Sequence, residues 1–172
     1  MNGKVFIISG PAGVGKSTTA KKFAEDLKKS AYISGDSISH MPVSGRKKPW
    51  ESDNARELVW KNIVSLCNNF LGAEYDVIID WVAFWDDVKK YTTQWIKQGI
   101  EVRYVILWAD EEIHLNRDLQ RPAEIQMGDR VQILRNEFLH SDTPSYFFLD
   151  NTSVNPENII QLIQEKSQFL LV

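Results

Sequence analysis

Two kinds of apolar pattern alternate along the chain: short unbroken runs, and stretches in which apolar residues recur every three or four positions. The first kind predicts buried strands and the second amphipathic helices. Val5-Phe6-Ile7-Ile8 is an unbroken run ending at Ser9. Over 16–29, Ala20, Phe23, Ala24 and Leu27 form one stripe and lysines cover the other face, which predicts a helix. Ala31-Tyr32-Ile33 predicts a second strand, stopped by Ser34-Gly35-Asp36. Two prolines, a glycine and Arg46-Lys47-Lys48 make 41–49 a loop. Leu58, Ile63, Leu66 and Phe70 mark a helix over 54–70, and Val77-Ile78-Ile79 is a third strand ending in Asp80. A helix over 86–98 is closed by Gly99, and 102–108 is a fourth strand ending at Asp110. The helix over 111–120 is stopped by Arg121-Pro122, and another follows Gly128 over 129–140. A fifth strand is expected over 146–149, and Asn155-Pro156-Glu157 opens a last helix with Pro156 at its first position.

Apolar strands that alternate with helices predict an α/β chain, a parallel sheet covered on both faces. Ligands of such sheets bind beyond the carboxyl ends of the strands. Those ends are Ser9, Gly35-Asp36, Asp80, Ala109-Asp110 and Asp150-Asn151, so carboxylates recur at nearly every one.

The loop after the first strand carries the strongest signal. Gly10-Pro11-Ala12-Gly13-Val14-Gly15-Lys16-Ser17 matches G-x-x-x-x-G-K-S/T at every fixed position. It lies between a predicted strand and a predicted helix. The glycines let successive N–H groups turn inward on phosphate oxygens, and the helix N-terminus adds partial positive charge. Gly10, Ala12, Gly13, Val14, Gly15, Lys16, Ser17 and Thr18 are therefore the expected nucleotide-binding residues. Lys16 reaches the β- and γ-phosphates, and the Ser17 hydroxyl is placed for Mg²⁺. A dinucleotide fold fits less well. Asp36 stands where a ribose-binding acid would be, but the third glycine is missing and Lys16-Ser17 has no role there.

With those residues the chain resembles the small P-loop kinases of the gluconate, shikimate, chloramphenicol and nucleoside-monophosphate phosphotransferase group. The resemblance covers essentially the whole chain. It implies a three-layer P-loop NTPase fold with a five-stranded parallel sheet in order 2-3-1-4-5. It also implies a substrate-binding region after strand two, about 37–70, and an arginine-bearing lid between strands four and five, about 117–128. The implied activity is transfer of the γ-phosphate of Mg-ATP to a small-molecule hydroxyl or phosphate, gluconate-kinase-like or antibiotic-kinase-like. The implied cofactors are ATP and Mg²⁺.

Within that frame Asp36 is the acid that faces the acceptor hydroxyl, although an aspartate there could equally cap the next turn through Ser37. Asp80, closing an apolar strand, is the expected metal ligand with Ser17. Strand order assigns the two carboxylates in this way, while residue type alone allows the exchange. Arg117 and Arg121, one helical turn apart, are expected to neutralise charge on the transferred group, with Arg130 a third candidate. The alternative is a nucleotide-dependent switch or assembly ATPase with no small-molecule acceptor. Asn151-Thr152-Ser153-Val154 stands where a GTPase carries its guanine-reading motif and does not match it, and no L-S-G-G-Q signature occurs.

The acceptor is expected between the segments that follow Asp36 and Asp80. His40, Arg46, Lys47, Lys48, Trp50, Arg56 and Trp60 are offered from one side, Trp81, Phe84 and Trp85 from the other. Stacking on a ring, charge pairing with an anion and plain core packing all remain open for these residues.

Composition narrows the setting. With 172 residues, 43% hydrophobic and 25% charged, the expectation is one globular domain over 1–172, as a monomer or homodimer. A net charge of -3 argues against a nucleic-acid partner. The single cysteine, Cys67, cannot form an internal disulfide and fits a reducing compartment. No apolar run is long enough for a membrane span, and the first run is too short for a secretion signal, so a cytoplasmic location is expected.

Overall fold

The computed structural model describes residues 3–120 and 122–172. Its centre is a parallel sheet of five strands in order β2-β3-β1-β4-β5: β1 Val5–Ser9, β2 Ser30–Ser34, β3 Asp76–Asp80, β4 Val102–Trp108 and β5 Phe148–Asp150. Around it lie α1 Lys16–Asp26, α2 Gly35–Ser39, α3 Asp53–Gly72, α4 Trp85–Lys97, α5 Glu111–Leu119, α6 Asp129–Leu139 and α7 Pro156–Glu165. The apolar runs are what the sheet interior requires, and every residue of β1 is buried. Strand register then fixes the site. Ile8 pairs with Asp80 and Ser34 pairs with the same residue, so three carboxyl ends are level beside the phosphate loop.

Several boundaries differ from expectation. The first helix stops at Asp26, with Leu27 extended, rather than running to residue 29. Past Ser34 the chain makes a short helix where a turn was expected. Its N-terminus is capped by the Ser34 hydroxyl, which accepts from the Ser37 N–H at 3.1 Å. The fifth strand covers Phe148–Asp150, not 146–149, because Pro144 opens a 3-10 turn over Ser145–Phe147 whose Phe147 N–H donates to the Pro144 carbonyl. Cys67 is buried in the core, where loss of solvation pushes its thiol pKa up. Among the described residues no helix is long and apolar enough to cross a membrane.

Candidate functional site

The phosphate loop leaves its donors available. Gly13 and Gly15 have φ of 83° and 102°, a region open to glycine at little cost. No side chain caps α1, so its first N–H groups face the cleft. Lys16 is 8% exposed, and its ammonium donates to the Pro11 carbonyl at 2.9 Å, folded along the loop it would serve. A cavity of about 750 Å³ opens over this loop, with residues 12–19 in its wall. Gly10 lies outside that wall. A Cβ there would collide with the Leu107 carbonyl, so the glycine permits β1 and β4 to close beneath the loop.

Asp36 is exposed on the first turn of α2 and lines the same cavity. Because Ser34 supplies the cap, the Asp36 carboxylate has no protein partner among the described residues. Gly35 brings it close to the floor: a Cβ on Gly35 would overlap the Trp81 indole, which packs flat against the bare backbone.

Asp80 is buried, and one of its carboxylate oxygens accepts from the Tyr32 hydroxyl at 2.7 Å. Burial and the Asp80 charge both push the Tyr32 pKa up, while the Ser34 and Ser17 hydroxyls pull it the other way. Tyr32 therefore remains a neutral donor. It orients Asp80 beside Ser17, a role that alternation along β2 does not announce. No cluster of three or more metal-binding side chains occurs among the described residues. That donor set fits Mg²⁺, which is commonly held by one or two carboxylates, a P-loop hydroxyl, waters and substrate phosphates rather than by a protein cage.

Arg117 is not directed where the sequence placed it. Its guanidinium donates to the Asn151 side-chain and backbone oxygens and to the Thr152 carbonyl, each at 3.2 Å, at the β5 end of the cavity. Asn151 in turn donates to the Val14 carbonyl at 2.7 Å, tying that end to the phosphate loop. Arg121 lies outside the described residues. Arg130 lines the cavity, but it is bonded to Glu137 at 3.1 Å and lies over the Trp50 ring at 5.1 Å. The segment after α5 doubles back, and the Met127 and Gly128 N–H groups donate to the Asp118 carboxylate.

Of the acceptor-side candidates, Trp50, Arg56, Trp81 and Phe84 line the cavity. Trp60 is fully buried and stacked on Tyr91, and Trp85 packs on Tyr104 and Phe147. The His40 ring bonds back to the Asp36 carbonyl, one turn along its own helix.

A second set of residues escaped the sequence. His114 on α5 is fully buried, and its Nε2 donates to the Ala12 carbonyl of the phosphate loop. Its Nδ1 faces Arg135, whose guanidinium can only donate, so Nδ1 accepts and the tautomer is fixed. Arg135 is anchored on the Ala109 carbonyl and lies over Trp108. Burial, with the Arg135, Lys16 and Arg117 charges, holds the His114 pKa below its usual 6.5, and the Ala12 contact offsets only part of this. The pH dependence has a definite sign. Below about pH 6.5 the unfolded chain binds a proton that the folded chain refuses, so stability falls as pH falls toward the lower folded value. His114→Gln is expected to cost about 1–3 kcal/mol at neutral pH, the scale for a broken buried hydrogen bond. It should also flatten the urea-midpoint profile between about pH 7.5 and 5.5. Parallel profiles for the two proteins would remove His114 as the titrating group.

A glycine-rich loop of this sequence at a helix N-terminus, beside a strand-end aspartate, defines a P-loop nucleotide-binding protein. The family described as an AAA domain matches residues 5–138, and the chain belongs to that family. Among solved structures, the Mycobacterium tuberculosis APS kinase CysC in complex with AMPPNP and APS is 16% identical, with a TM-score of 0.69, covering 95% of this chain and 96% of that one. A gluconokinase from Sinorhizobium meliloti is 19% identical, with a TM-score of 0.66 and coverages of 93% and 88%. A sugar kinase from Janibacter sp. is 17% identical, with a TM-score of 0.67 and coverages of 92% and 91%. The chain thus has the fold of the small P-loop kinases. No curated protein matches the sequence significantly.

Proposed function

We propose that the chain is a phosphotransferase that moves the γ-phosphate of Mg-ATP to the hydroxyl of a small molecule. One observation carries this: the phosphate loop and the unpartnered Asp36 carboxylate line one continuous cavity. A switch or assembly ATPase has no use for a carboxylate and an aromatic chamber beyond its phosphates, whereas a kinase needs both.

The loop N–H groups, Lys16, Ser17 and Thr18 hold the phosphates. The adenine lies at the other end, where Arg117, Val154 and Pro156 offer a cationic plane and apolar surface. Mg²⁺, held by Ser17 and Asp80, neutralises charge on the β- and γ-phosphates when bound. Asp36 orients the acceptor O–H and takes its proton as the oxygen bonds to the γ-phosphorus and the bond to the ADP oxygen breaks. Residues 37–70 form the acceptor side and 117–128 the lid, within one domain. Holding the lid down on Asp118 keeps water out and suppresses hydrolysis.

The test is ADP release from Mg-ATP with and without small-molecule alcohols. We expect slow release alone and a rise of at least about 10²-fold with a suitable acceptor, the scale of a positioned general base. Release that answers instead to self-association, seen by gel filtration with ADP or a non-hydrolysable ATP analogue, would favour the switch.

A further inference from the structure

We propose that the acceptor is an uncharged alcohol carrying a flat ring, and that Glu137 is a residue that keeps acids out. This rests on the kinase reading above and adds the chemical class of its acceptor.

Charge is the first ground. Beyond the phosphates the cavity wall holds two cations, Arg56 and Arg130, and two carboxylates, Asp36 and Glu137. Both arginines are committed. Arg130 is bonded to Glu137 through two nitrogens at 3.1 and 3.4 Å. Arg56 contacts Asp53 at 3.0 Å and Asp87 at 3.5 Å. An acceptor carrying a carboxylate, sulfate or phosphate would lose its hydration here and meet no uncommitted cation from this wall. It would also stand beside the Asp36 charge that the transfer step requires. The basic run that could have served an anion is turned elsewhere. Arg46 donates to the Ser39 carbonyl at 2.7 Å, Lys48 pairs with Glu51 at 3.2 Å, and none of 46–48 lines this cavity. Arg46 and Lys47 line a separate cavity of about 380 Å³.

Shape is the second ground. Trp50, Trp81, Phe84 and Leu134 supply apolar wall to the chamber that Asp36 enters. Trp50 is 50% exposed, a large aromatic left open to solvent, and its ring is steadied by the ion-paired Arg130. Trp81 lies flat against Gly35, next to the carboxylate. A ring seated on these indoles puts a hydroxyl substituent within the reach of Asp36. A linear polyol would leave the same apolar surface wet.

The experiment uses the whole protein with matched probes: uridine and thymidine, their 5′-monophosphates, a set of aryl methanols with the corresponding aryl carboxylates, and glycerol as a neutral alcohol without a ring. Ligand-observed NMR reads binding, and ADP release with product mass reads turnover. We expect neutral ring alcohols to bind at least about tenfold more tightly than their acids and than glycerol, a difference of about 1.4 kcal/mol. Trp50→Ala should weaken ring binding by a similar factor. Glu137→Gln, which removes one negative charge and releases Arg130, should narrow the gap between alcohol and acid. Acids that bind as well as their alcohols, or a gap unchanged in Glu137→Gln, would overturn the proposal. Preferential binding of ring alcohols with no phosphorylated product would instead overturn the kinase reading and leave the ligand class standing. Turnover of a monophosphate or a carboxylate in preference would do the reverse.

Discussion

Lys16→Ala is expected to abolish turnover while the protein stays folded. The Lys16 ammonium sits at the mouth of α1, where the loop N–H groups converge on the cavity. A neutral methyl there removes the charge that follows the γ-phosphoryl group from ground state to product. Loss of one preorganised electrostatic partner costs about 10²–10³-fold in rate, and more where it also anchors the nucleotide. The contact that is lost within the protein is a single hydrogen bond to the Pro11 carbonyl, together with the other interactions of this partly covered side chain. The melting temperature should move little. ADP release at saturating Mg-ATP and acceptor, with a thermal melt on the same sample, checks both halves. A folded variant with unchanged ATP affinity and turnover contradicts the assignment of the loop.

Asp36→Asn should cut phosphoryl transfer by about 10²-fold or more, the contribution of a positioned general base. The change keeps size and polarity. The helix cap is unaffected because Ser34 provides it, so stability should be preserved. Mg-ATP affinity should also be preserved, since Asp36 faces the acceptor end. Asp80→Asn serves as the contrast. Asp80 is tied to Tyr32 and stands beside Ser17, so its replacement should raise the Mg²⁺ concentration needed for half-maximal rate. Paired Mg²⁺ titrations separate the roles. A metal defect in the Asp36 variant and none in the Asp80 variant would exchange the two assignments. Full activity in both variants would leave the chemistry to the loop and the arginines.

What the sequence disclosed was local. The loop motif is eight consecutive residues, and the strands are apolar runs, so neither needs a distant partner to be recognised. Strand order came with the family resemblance, and the register of Ile8 and Ser34 on Asp80 agrees with it. The lining of the acceptor chamber was only half visible. Spacing marks Trp50, Trp60, Trp81 and Trp85 alike as apolar, yet Trp60 and Trp85 face the core and the other two face the cavity. Which way a tryptophan points depends on the packing of α3, α4 and the 41–52 loop. The His114–Ala12 bond spans 102 residues of sequence and the Asn151–Val14 bond 137, so no local pattern could carry them. Arg117 shows the converse. Its helix was placed correctly, but its direction was set by carbonyls at the far edge of the sheet.

The most direct test of the account follows the γ-phosphoryl group itself. Protein, Mg²⁺, ATP labelled at the γ-phosphorus and a neutral ring alcohol are incubated together, and the label is traced by phosphorus NMR and mass spectrometry. The account predicts that the label moves onto the alcohol oxygen, with one ADP formed per phosphorylated product and little inorganic phosphate. Label that appears only as inorganic phosphate, at a rate indifferent to every alcohol supplied, would contradict it.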